Sequence, residues 1–179
     1  MSPALPPALP PARTPGAYSV ALVCLGNICR SPMADVVLAQ RVDDAGLAAR
    51  VTVASSGTGG WHVGQPMDLR AASSLLAEGY DPSPHRARQF DAGWLERHDL
   101  VLAMDSQNLA DIGGRSERVR LYRDFDPVPV GDDGPDREVP DPYYGGDAGF
   151  EEVLAMVERT SVALVAALQR DPALAPGPR

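Results

Sequence analysis

Cys24-Leu25-Gly26-Asn27-Ile28-Cys29-Arg30-Ser31-Pro32 separates two stretches of different period. Before it, Tyr18-Ser19-Val20-Ala21-Leu22-Val23 is short, apolar and β-branched, the pattern of a buried strand. After it, Ser31 is placed to cap a helix and Pro32 suits a first helical position. Met33, Val36, Val37 and Leu38 give that helix a face, and it is predicted to run from Ser31 to Ala45 with Gly46 as its C-cap. The nine residues therefore lie between a strand's carboxyl end and a helix's amino end. Backbone N–H groups there converge, and the helix dipole favours an anion.

Three side chains turn such a cradle into a reaction centre. Cys24 lies at its base, where the field that holds an anion also favours thiolate. Arg30 offers a planar fork for two phosphate oxygens. The Ser31 hydroxyl reaches back toward the Cys24 sulfur, to stabilise it as thiolate and as leaving group. Gly26 and Asn27 tolerate the positive φ angles expected of a tight loop. The chemistry these residues imply is attack of a thiolate on phosphorus to give a cysteinyl-phosphate. The backbone N–H groups of Leu25, Gly26, Asn27, Ile28, Cys29 and Arg30 would bind the phosphoryl oxygens.

Downstream, strands and helices alternate. Arg50 to Ser55 reads as a second strand, Ser55 to Trp61 as a loop, and Asp68 to Glu78 as a helix ending at Gly79. Trp94 to Arg97 belongs to a short helix. Asp99 to Ala103 is an apolar third strand, Ser106 to Ile112 a helix stopped by Gly113-Gly114, and Arg118 to Tyr122 a fourth strand. Arg123 to Gly146 is loop, rich in Pro, Gly and Asp, of a length that marks a functional or a disordered segment. Asp147 is placed to cap a last helix to about Arg170, with Phe150, Val153, Leu154, Val157, Leu164 and Leu168 toward the core. This alternation implies an α/β fold with a parallel sheet and right-handed crossovers.

The loop resembles that of the low-molecular-weight protein-tyrosine phosphatases of bacterial type. Asp141-Pro-Tyr-Tyr-Gly145 is similar to that family's general-acid loop. Ser55-Ser-Gly-Thr58, Trp61, His85-Arg-Ala-Arg-Gln89 and Met104-Asp105 also fall in family order, so the resemblance spans about Val20 to Leu168. It implies a flavodoxin-like sheet of four parallel strands in the order 2-1-3-4. It implies Cys24 as nucleophile, Arg30 as phosphate binder and Asp141 as general acid and then base. His85 would join Asn27 and Ser55 in a hydrogen-bond network that supports the loop, beside Ser31. Trp61, with Tyr143 and Tyr144, would line the pocket for the substrate's ring. His62 and His98 are read as ordinary surface or core residues.

The expected activity is hydrolysis of phosphotyrosine monoesters, with no metal and no organic cofactor. Three other readings are weighed. A thioredoxin-coupled arsenate reductase needs cysteines beyond Cys24 and Cys29, the only two present. A protein-arginine phosphatase carries Thr where Ile28 stands and lacks the tyrosine pair. A silent phosphopeptide-binding module would be expected to have lost Cys24, Arg30 or Asp141. Cys29 shares a tight loop with a reactive thiolate, so it is also expected to capture an oxidised Cys24 as a disulfide.

At 179 residues the chain is expected to form one domain over residues 17–170, between disordered tails at 1–16 and 171–179. The first tail is Ala, Leu and Pro with hardly a charge. A net charge of −8 argues against nucleic acid and leaves phosphate binding to the loop itself. No apolar run reaches the roughly 18 residues of a membrane span. Tyrosine-phosphorylated proteins are the expected partners, with neither nucleic acid nor membrane. The expected state is a monomer. A cytoplasmic location is the expectation, with leaderless export left open.

Overall fold

The computed structural model describes residues 7–128 and 137–174. Four strands, β1 (Tyr18–Cys24), β2 (Val51–Gly57), β3 (Leu100–Ala103) and β4 (Val119–Leu121), pair in parallel in the order β2-β1-β3-β4. Among the described residues, five α-helices surround them: α1 (Arg30–Asp44), α2 (Leu69–Ala77), α3 (Gly93–Arg97), α4 (Ser106–Asp111) and α5 (Asp147–Gln169). The α/β class and the 2-1-3-4 order are thus as the resemblance implied.

The pleat of β1 divides the core. Tyr18, Val20, Leu22 and Cys24 point into one cluster, with Met33, Val37 and Leu38 of α1 and Phe150, Val153 and Val157 of α5. Ala21 and Val23 point into the other, with Trp94 and Ile112. β1 is the central strand of the site because it pairs on both edges, with Cys24 beside Gly57 of β2. Fully buried side chains of this size each contribute about 1.5–3 kcal/mol.

Local details shift several expected boundaries. Helix α1 starts at Arg30, and Cys29 holds the cap position without a side-chain cap bond. Ser31 is therefore inside the helix, because its hydroxyl is committed to Cys24 and Asn27. Pro32 is the third helical residue, still in the first turn where its missing N–H costs nothing. Asp147 likewise opens α5 from inside, with Gly146 at the cap. Gly46, at φ +75°, ends α1 by donating to Asp43 O at 2.9 Å.

The tails depart from the expected disorder where they are described. Pro10 is buried and accepts a bond from Tyr18 Oη at 2.9 Å, and the Arg13 N–H donates to Asp99 Oδ1 at 2.7 Å. Arg120 Nη1 donates to Ala8 O at 2.7 Å. Proline-rich composition forbids regular structure, yet its free carbonyls are good acceptors, and they dock residues 7–16 along the domain. At the other end Leu174 is 1 % exposed, within a 3-10 turn over Pro172–Leu174. Residues 1–6 and 175–179 lie outside the described residues.

Candidate active site

The loop after β1 is held from outside by its carbonyls. Cys24 O accepts from Thr58 N at 2.9 Å, Leu25 O from Gly59 N at 2.8 Å, and Ile28 O from Asp68 N at 2.9 Å. Asn27 O accepts from His85 Nε2 at 2.8 Å, which assigns the ring proton to Nε2. Burial keeps the His85 imidazole below its usual pKa, against that hydrogen bond, so it is a neutral brace rather than a cation. These bonds turn the carbonyls of Cys24, Leu25, Asn27 and Ile28 outward. Asn27 N–H lies 3.3 Å from Cys24 Sγ.

Asn27, at φ 55°, is the only non-glycine residue with positive φ among the described residues. Gly26, expected to share that conformation, does not have a positive φ. Asn27 tolerates the strain because its side chain is fully used. Nδ2 donates to Ser31 Oγ at 2.8 Å and to Ser55 Oγ at 3.0 Å, and Oδ1 accepts from Arg88 N at 2.9 Å. Ser31 Oγ in turn lies 2.9 Å from Cys24 Sγ. It accepts from Asn27, and its own proton has two acceptors in reach, Ser56 O at 3.3 Å and the Cys24 sulfur, of which a thiolate would be the stronger.

Behind this network sits Asp35, which the sequence reading did not single out. Burial pushes its carboxyl up to about 6, against a hydrogen bond with Ser55 and the Arg88 charge. Gly57 reads as a loop glycine in sequence and is instead the last residue of β2. A Cβ there would lie 2.7 Å from Leu25 O and 2.9 Å from Asn27 N, so β2 closes on the loop only through glycine.

Arg30 is 3 % exposed. Its Nη1 donates to Asp105 Oδ2 at 2.6 Å and to Val139 O at 3.1 Å, while Nη2 lies 3.5 Å from Asp141 Oδ2. Burial works against its charge, but Cys24, Asp105 and Asp141 outweigh it and hold the guanidinium protonated. Asp105 serves two masters: its Oδ1 caps α4 by accepting from Asn108 N at 2.7 Å. Placing it beside Arg30 needs β3 to pair with β1, which the local sequence does not announce.

The Asp141 loop (residues 139–146) enters from 109 residues downstream of Arg30 at Val139. Val139 is fully buried, and its N–H donates to Met104 O at 2.7 Å. Asp141 is 37 % exposed, with Oδ1 accepting from Tyr143 N at 3.0 Å. The loop's approach is anchored by Asp126, whose buried carboxylate takes bonds from Arg123 and, through two nitrogens, from Arg159 on α5. Burial alone would raise that carboxyl, but the Arg159, Val128 and Arg123 hydrogen bonds bring it down to about 2.

One cleft of about 280 Å³ gathers these groups. Cys24, Leu25, Gly26, Ile28, Cys29 and Arg30 line it, with Trp61, His62, Asp141, Tyr143 and Tyr144. Asn27 lies behind the lining, fully buried with Ser31 and Ser55. His62, read as an ordinary residue, is therefore in the wall, its Nδ1 3.1 Å from Gln65 Oε1. Trp61 is 70 % exposed and Tyr144 93 %, with Tyr143 and Tyr144 edge to face at 4.9 Å. Aromatic surface left in water at the mouth of a polar cleft suits a flat, apolar group. Cys29 differs from Cys24 in environment: burial, with the Asp68 charge adding, pushes its thiol up to about 12.

Known proteins resemble this chain in sequence and fold. The family model described as low molecular weight phosphotyrosine protein phosphatase matches residues 19–174. A low molecular weight protein-tyrosine-phosphatase of Streptomyces coelicolor is 48% identical over 158 residues, covering 85% of this chain and 94% of that protein. The low molecular weight protein-tyrosine phosphatase A of Mycobacterium tuberculosis is 47% identical over 142 residues, 78% of this chain and 84% of the relative. The crystal structure of YfkJ from Bacillus subtilis superposes with a TM-score of 0.78 at 32% identity, covering 87% of this chain and 97% of that one. The chain belongs to the low molecular weight phosphotyrosine protein phosphatase family.

Proposed function

We propose that this protein-tyrosine phosphatase hydrolyses phosphotyrosine in proteins by two displacements at phosphorus, carried by Cys24, Arg30 and Asp141. The observation that supports it most is the cleft itself, in which the Cys24 sulfur, the Arg30 fork and the Asp141 carboxyl share one wall. In the first step the Cys24 thiolate forms an S–P bond while the P–O bond to tyrosine breaks. The Asp141 proton passes to the departing phenolic oxygen. In the second, Asp141 takes a proton from water as its oxygen bonds to phosphorus and the P–S bond breaks, releasing phosphate and thiolate.

The residues around them have separate tasks. Arg30 and the N–H groups of Leu25 to Arg30 hold the equatorial oxygens, and Ser31 Oγ–H stabilises sulfur each time it bears charge. Ser55 and His85 keep Asn27, and hence the loop, in shape. Trp61, Tyr143 and Tyr144 take the substrate's ring. That aromatic mouth favours a phenyl ester over phosphoarginine or arsenate. Cys29 is assigned the capture of an oxidised Cys24.

A phosphotyrosine peptide assay tests the proposal. Wild type should release phosphate. Cys24→Ser should turn over nothing yet still bind vanadate weakly, and Arg30→Ala should lose both activities. Substantial turnover by the serine variant would exclude the covalent route.

A further inference from the structure

Besides the Arg30 contacts with Val139 and Asp141, an ion pair at the start of α2 joins the phosphate loop to the Asp141 loop. The Asp68 N–H donates to Ile28 O at 2.9 Å, which ties that residue to the phosphate loop. The Asp68 carboxylate caps α2 through Arg70 N at 2.8 Å and accepts the Arg70 side chain twice, from Nε at 3.1 Å and Nη2 at 3.0 Å. The same guanidinium then reaches across to the other loop. Nη2 donates to Tyr143 O at 2.9 Å and Nη1 to Gly145 O at 3.2 Å. Its plane lies over the buried Phe150 ring at 4.7 Å and near the Tyr143 ring at 5.6 Å.

Tyr143 links Arg70 to Asp141. Its N–H holds Asp141 Oδ1 at 3.0 Å, and its carbonyl is held by Arg70. The other carboxylate oxygen of Asp141 lies 3.5 Å from Arg30 Nη2. A partly exposed ion pair contributes little stability. What Arg70 supplies here is direction: a rigid fork fixes one carboxylate and two carbonyls at once, which a lysine ammonium on a flexible stem does not match. We propose that Asp68 and Arg70 form a strut between the two loops, and that Arg70 is a positioning residue for Asp141 in leaving-group protonation. This rests on the reading of Asp141 as the general acid.

Without the strut the carboxyl drifts, and a misplacement of about 1 Å is enough to cost about 10²-fold where a proton must be delivered. The phosphate loop keeps its own braces, so anion binding should persist. Single-turnover phosphorylation of the enzyme by phosphotyrosine and by nitrophenyl phosphate, with vanadate affinity alongside, separates the possibilities. Arg70→Ala should slow the phosphotyrosine step by about 10- to 10²-fold, slow nitrophenyl phosphate less, and leave vanadate affinity within about twofold. Arg70→Lys should fall between. In an Asp141→Asn background Arg70→Ala should add no further slowing, because the proton to be positioned is gone.

Equal slowing of both substrates by Arg70→Ala, or full additivity with Asp141→Asn, would overturn the strut while leaving the acid assignment intact. Equal slowing of both substrates by Asp141→Asn itself would overturn both. A rise in KM confined to substrate binding, with the leaving-group ratio unchanged, would make Arg70 an attracting charge and overturn the positioning role.

Discussion

The two loops that meet in the cleft are built in opposite ways. The phosphate loop joins adjacent elements, and at least four of its carbonyls take bonds from β2's end, His85 and Asp68. Its charged residue is 3 % exposed. The Asp141 loop comes from the far end of the chain and leaves its carboxyl 37 % exposed. It is pinned at Val139 by Met104 and Arg30, and at Tyr143 and Gly145 by Arg70. Each loop is built for its task. Anion binding needs donors fixed before the substrate arrives, so it sits on a braced frame. Proton delivery needs one group at one place, and a few tertiary bonds suffice.

The largest effect is expected from removing the proton without moving the frame. Asp141→Asn should slow the phosphotyrosine step by about 10²–10⁴-fold, the range of general-acid catalysis. Tyrosine leaves as the base of an acid of pKa about 10, whereas nitrophenolate is a weaker base and needs less help. The nitrophenyl phosphate step should slow by a smaller factor in the same single-turnover measurement. Equal factors would mean that Asp141 shapes the loop instead of donating.

A smaller effect separates the two thiols of the frame. Peroxide should convert Cys24 to a sulfenic acid, which the Cys29 thiol condenses with to give a disulfide and water. Because burial pushes Cys29 up to about 12, this capture should quicken as pH rises through the alkaline range. Activity should return with dithiothreitol in wild type and be lost for good in Cys29→Ser. Full recovery by that variant would remove the protective role.

The smallest effect lies in the brace behind Asn27. Asp35 has a folded pKa of about 6 against an unfolded 3.8, so the folded state binds the extra proton between those values. Its stabilising share is present at low pH and is lost as pH rises from about 4 to about 6, by no more than about 3 kcal/mol. Asp35→Asn should therefore gain stability over wild type above pH 6 and show no such gain near pH 4, by denaturant unfolding at both. An identical difference at the two pH values would contradict the buried carboxyl.

These contrasts also explain what the sequence made legible. The phosphate loop is a local object: strand, turn residues and helix start follow one another, and Cys24, Asn27, Arg30 and Ser31 stand in one reading frame. The frame's supports are not local. Asp68 and Asp105 each cap a helix with one carboxylate oxygen, and the second oxygen holds Arg70 in one case and Arg30 in the other, a pairing that no local pattern shows. Gly57 reads as a loop residue until β2 is laid beside β1. Residues 7–16 read as disordered because their prolines exclude helix and sheet. Composition is silent about docking, which Tyr18 and Arg120 achieve through backbone carbonyls.

The account turns on a bond between phosphorus and one sulfur. Rapid mixing with excess nitrophenyl phosphate, an acid quench and mass analysis of the digested protein would look for it directly. The prediction is a phosphoryl group on the peptide that carries Cys24, attached through sulfur and enriched in Asp141→Asn, where water attack loses its base. A phosphoryl group on any other residue, or full turnover with no covalent species under conditions that enrich it, would contradict the account.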